Sequence, residues 1–185
     1  LGPLRAVNFG IAGDRTQQVL WRIEHGELGR IFPRAVCLLI GTNNLDPGLG
    51  ERSLMPPNTP DEIAAGVLAV IDAISRLRPR IAIVLHALFP RGESDSPVRG
   101  QIAAINAILR ARVNGRFDIR FVDFSRRLLA WNDRVAGIFR PDRLHLTEAG
   151  YEAWAAALDE VFDELGLRRQ AAAPWAAVKE EHPTR

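Results

Sequence analysis

The chain has 185 residues, 47% of them hydrophobic, with 24 Lys and Arg against 22 Asp and Glu for a formal net charge of +2. That length suits one domain, and the apolar content suits a packed core rather than disorder. The near balance of charge speaks against a nucleic-acid surface, the lone Cys37 excludes a disulfide framework and reads as a buried structural thiol, and no apolar run reaches the roughly 18 residues of a membrane span.

The pattern alternates strand and helix along the chain. "LRAVNFG" (4–10) predicts a short strand ending in Gly. "TQQVLWRIEHGEL" (16–28) places Val19, Leu20 and Ile23 at helical spacing. "AVCLLIGT" (35–42) and "IAIVLHAL" (81–88) are continuous apolar runs, the mark of strands buried on both faces. Between them, residues 59–77 open with Thr59, Pro60 and Glu62, which predicts a capped helix with a proline at its first position. Residues 96–113 and 147–165 complete the helical set, and "IRFVDF" (119–124) is a fourth strand. Strands separated by helices argue a parallel sheet covered on both faces. One domain over 1–167 is expected, followed by a tail at 168–185 where periodicity is lost and Pro and charge rise.

Parallel sheets bind ligands at the carboxyl ends of their strands. In that position stand "GIAGDRT" (10–16), "GTNN" (41–44), "LFPRGES" (88–94) and "RPDRLHLT" (140–147). Asp142 and His145 carry the sharpest signal. Pro141 suits the first position of a helical turn, in which residues three apart share a face, so the Asp could hold the His in one tautomer and stabilise its imidazolium. Asn43 could donate its side-chain amide to a developing oxyanion. Gly13 could present its backbone N–H with no side chain in the way. Taken singly, each is also an ordinary turn residue. Asp14 reads as a helix cap or loop brace.

In combination, G-x-x-G-D-x-T, then G-T-N, then D-x-x-H resembles the SGNH, or GDSL, esterases and lipases, with the greatest likeness to platelet-activating-factor acetylhydrolase catalytic subunits. The likeness rests on "NFGIAGDRTQQVLWRIEHGEL" (8–28), "GTNN" (41–44), "PRG" (90–92) and "LHLTEAGY" (144–151), and spans about residues 5–165. The resemblance implies a flavodoxin-like α/β/α three-layer sandwich with a parallel sheet. It also implies ester hydrolysis by a serine nucleophile, without metal or other cofactor. By motif, Gly13 and Asn43 match the oxyanion-hole residues, and Asp142 and His145 match the triad acid and base. Leu144 would line the acyl side. A small acyl, acetyl-like ester is the implied partner, and a homo-oligomer is left open.

One part of the pattern is missing. The family's nucleophile lies in a G-D-S motif after its first strand, and no Ser precedes Gly13 here. The serines are Ser53, Ser75, Ser94, Ser96 and Ser125, and none follows Gly-Asp. Ser94 and Ser96 fall nearest the expected edge of the sheet. The chain begins with Leu1 rather than Met. The expectation is therefore a fragment of an ester hydrolase, cut before its first strand and nucleophile. The alternatives are a non-catalytic binding or scaffold relative and, last, an unrelated flavodoxin-like module. A truncated N-terminus leaves the localisation unknown, with the cytoplasm favoured.

Overall fold

The computed structural model describes residues 6–26, 28–29, 31–45, 56–129 and 137–167. The expected tail at 168–185 lies outside them. The elements run α1 (Thr16–Glu24), β1 (Ala35–Leu38), α2 (Thr42–Leu45), α3 (Pro60–Leu77), β2 (Ala82–His86), α4 (Pro97–Val113), β3 (Ile119–Val122), α5 (Ser125–Leu128) and α6 (Glu148–Glu164). The three strands form one parallel sheet in the order β1-β2-β3.

The layers follow from alternation along β2. Ile83 and Leu85 point to one face and join a core built from α1, α3 and α4, including Ile23, Ile63, Val67, Ile71, Ile105 and Leu109. Val84 points to the other face and packs with Val122, Phe124 and the α6 residues Ala157 and Val161. Side chains of a strand alternate between faces, so each strand residue set finds its own helix layer. The result is the α/β/α arrangement expected from the sequence.

Several element ends were legible in detail. Glu62 N–H donates to Thr59 Oγ1 at 3.3 Å, and Thr59 N–H donates to Glu62 Oε2 at 2.8 Å, the reciprocal cap that starts α3. Thr147 caps α6 through Gly150 N–H. Helix α1 stops four residues short of the expected end at 28, and Gly26 takes a φ of +94° just beyond it.

Two expectations need correction. The described part of the run at 4–10, residues 6–10, is not a strand: it carries no ladder, and Val7 is 65% exposed. An apolar run becomes a strand only beside a partner, and among the described residues β1 pairs with β2 alone. Cys37 is exposed rather than buried. It shares its sheet face with Val84, and among the described residues α6 covers Val84 and Val122 but not the β1 end of that face.

Helix α1 crosses α3 at Gly66, where a Cβ would collide with Thr16 Oγ1. Thr16 cannot easily retreat: its N–H donates to Asn44 Oδ1 at 3.0 Å, and it is 2% exposed. Gly66→Ala gains about 1 kcal/mol of helix propensity but overpacks the crossing at roughly 1–3 kcal/mol. A lowered unfolding temperature is expected by calorimetry; a raised one would show that the crossing yields freely.

Candidate active site

Gly13 sits in the loop before α1 at a φ of +84°, exposed, with open space where a Cβ would stand. That conformation is strained for any residue but glycine. Its N–H makes no hydrogen bond among the described residues. Asn43 lies in α2, beyond the carboxyl end of β1. Its Nδ2 donates to the Asp14 carbonyl at 2.9 Å, which places Asn43 against the Gly13 loop and leaves its second amide proton unused among the described residues.

Buried polar groups hold this corner. Asn44 is 1% exposed, accepts from Thr16 N–H, and donates to Gln17 Oε1 and Asn58 Oδ1 at 2.9 Å each. Asp14 forms an ion pair with Arg22, which also donates to the Phe9 carbonyl. Asp14 is thus a loop brace.

Asp142 and His145 do not form a helical turn. Residues 141–145 make an irregular turn, in which Arg143 takes a left-handed φ of +53°. The Asp142 carboxylate organises it: Oδ1 accepts from the N–H groups of Leu144 and His145, both at 2.9 Å, and Oδ2 lies 2.9 Å from His145 Nδ1. The His145 side chain, followed by these two main-chain donors, holds the Asp142 carboxyl down at about 2. The carboxylate stays ionised until the pH falls toward that value, so the pair persists through the neutral and mildly acid range. His145 Nε2 makes no hydrogen bond among the described residues, and the side chain is 63% exposed.

The loop after β2 ties the two halves together. Arg91 Nη1 donates to the Thr42 carbonyl at 3.1 Å, beside Asn43, and Gly92 N–H donates to the Arg143 carbonyl at 3.1 Å, in the His145 turn. The Gly13, Asn43, "PRG" and His145 segments are therefore linked along the carboxyl edge of the sheet. Leu144 is half-buried in that turn. No serine hydroxyl bonds to His145 among the described residues; Ser96 stands at the start of α4, and Ser53 lies outside the described residues. No group of His, Cys, Asp and Glu suited to hold a metal ion occurs among the described residues, and no described helix is long and apolar enough to cross a membrane.

Residues 1–153 match the model of the GDSL-like lipase/acylhydrolase family. The chain belongs to this family. Among curated relatives, the rat platelet-activating factor acetylhydrolase IB subunit alpha2 is 32% identical over 163 residues, and subunit alpha1 from the same species is 33% identical. Each match covers 88% of this chain and 66% of the relative, so the chain spans just under two thirds of those relatives' length. Solved structures agree on the fold. A putative platelet activating factor from Streptococcus pneumonia matches with a TM-score of 0.66 at 22% identity, covering 84% of this chain and 71% of that one. A carbohydrate esterase family 3 protein from Talaromyces cellulolyticus matches with a TM-score of 0.65 at 19% identity, covering 84% and 70%. The GDSL-like family thus accounts for the parallel sheet and its helix layers.

Sequence reasoning gave no role to three residues that shape the site, Arg15, Asn44 and Arg91, although all three lie in segments it singled out. A buried charge at position 15 gives no periodic signal, and the second Asn of "GTNN" looks like a turn residue until its bonds to Thr16, Gln17 and Asn58 are seen.

Proposed function

We propose that this GDSL-family chain carries the acid–base pair and oxyanion donors of a serine ester hydrolase. Its substrate would be a small acyl, acetyl-like ester, and its nucleophile would come from residues before Leu1. The observation that carries this reading is the His145 Nδ1 to Asp142 Oδ2 contact of 2.9 Å, with no hydrogen bond on Nε2 among the described residues. A carboxylate on Nδ1 fixes the tautomer in which Nε2 is the base.

The chemistry then runs in two halves. A serine hydroxyl attacks the ester carbonyl carbon, and His145 Nε2 takes its proton and returns it to the leaving alcohol. The carbonyl oxygen becomes an oxyanion, met by Gly13 N–H and the free Asn43 amide proton. Water repeats the attack on the acyl-serine, with His145 again the base, and the carboxylic acid leaves. Leu144 would border the acyl group.

Three features favour a nucleophile supplied from before Leu1. His145 is highly exposed for a catalytic base, the outer edge of β1 is unpaired among the described residues, and the face over Cys37 is uncovered there. A preceding strand and helix would cover all three. The platelet-activating factor acetylhydrolase relatives are what point to a short acyl ester.

The test is the protein expressed with its upstream coding residues and assayed on p-nitrophenyl acetate. His145→Ala and Asp142→Asn should each lower kcat by about 10⁴, and Asn43→Ala by roughly 10²–10³. Activity indifferent to all three would sink the assignment. No serine hydroxyl bonds to His145 among the described residues, and this keeps a second reading alive, that of a non-catalytic binding or scaffold subunit. An upstream sequence without a Gly-Asp-Ser would favour it.

A further inference from the structure

Arg15 stands at the N-terminus of α1 and is 5% exposed. Its Nε donates to the Asn43 carbonyl at 2.9 Å, and its Nη2 donates to the Pro56 carbonyl at 2.9 Å. Both acceptors are neutral. Among the described residues no carboxylate pairs with it. The adjacent carboxylate, Asp14, is engaged by Arg22. Among the described residues, Arg15 thus bonds neutral carbonyls alone.

A buried guanidinium without a counter-charge is costly, and a neutral donor could serve two carbonyls without that cost. The position of the charge gives it a use. Arg15 grips the main chain of Asn43, while the Asn43 side chain grips the main chain of Asp14 at 2.9 Å. These two bonds cross-tie the segments that present Gly13 N–H and the Asn43 amide. An anion between those donors would meet the charge of Arg15, whose described acceptors are neutral.

We propose that Arg15 is a positioning residue of the oxyanion hole: it fixes Asn43, and its charge favours a small carboxylate, the acid product of ester hydrolysis, at the Gly13–Asn43 corner. This rests on the hydrolase reading above. Carboxylate binding needs no nucleophile, so the 185-residue chain itself can be tested.

The experiment is an NMR titration with acetate and with acetamide, which match in shape and differ in charge. Acetate should shift the Gly13 and Asn43 resonances and bind about tenfold more tightly than acetamide, the size of a charge-assisted hydrogen-bond advantage. Arg15→Gln should bring the two ligands close to parity, and Arg15→Lys should keep most of the preference. A merely structural role would weaken both ligands alike. An undiminished preference for acetate in Arg15→Gln would overturn the proposal. Should that variant fail to fold, the unsubstituted chain decides: equal binding of the two ligands overturns it. Shifts at Gly13 and Asn43 that ignore Arg15 would sink this inference alone. No shift there with either ligand would sink the oxyanion-hole assignment as well.

Discussion

The 185-residue chain, assayed on p-nitrophenyl acetate, is expected to be slower than an intact triad enzyme by several orders of magnitude. Oxyanion donors and binding alone sustain rates of roughly 10³–10⁴ over water when a triad member is missing. That is the ceiling expected here, because His145 Nε2 has no serine hydroxyl on it among the described residues. A serine-reactive fluorophosphonate should leave the chain unlabelled for the same reason. Fast turnover with covalent labelling of Ser94 or Ser96 would contradict this and make one of them the nucleophile.

Replacing His86 should remove most of the acid sensitivity of folding. His86 ends β2, is 2% exposed, and neither ring nitrogen has a hydrogen-bond partner among the described residues. Phe89, Phe124 and Trp154 meet its ring edge-on, with centroids 5.4–6.3 Å away. Burial pushes the imidazole down from 6.5 to about 4. Charged groups on the neighbouring elements are occupied elsewhere: Asp123 holds Arg110, and Glu160 on α6 holds Arg127.

The sign follows from proton binding. Between pH 6.5 and 4 the unfolded chain binds a proton at His86 that the folded chain refuses. Stability is therefore full above 6.5 and falls as the pH drops toward 4, by about 3 kcal/mol. His86→Leu should flatten that slope in urea unfolding between pH 7.5 and 4.5. It should also gain stability at pH 7.5, since two unpaired buried nitrogens are removed. Equal slopes for the two proteins would show that His86 has a partner in solution.

The layered fold was readable because its signals are local. The Thr59–Glu62 cap, the apolar runs at β1 and β2, and the helical spacing of Ile63, Val67 and Ile71 each fix an element without help from distant residues. The run at 4–10 misled because a strand also needs an edge to pair with, and composition is silent about that. Cys37 misled for a related reason: burial depends on which helix covers which end of the sheet. At the site, Asp142 and His145 were legible as a pair of types at a spacing, yet the turn that joins them was not helical. Its shape comes from the Asp142 carboxylate taking two main-chain N–H groups, with Arg143 at positive φ. Arg15 was invisible, because one basic residue among many shows its burial only in three dimensions.

The most direct measurement is a map of the fluorophosphonate adduct by peptide mass spectrometry, on the protein expressed with its upstream coding residues. The account predicts label on a serine before Leu1, lost in His145→Ala. Label on a serine within residues 1–185, label that survives His145→Ala, or no label at all would contradict it.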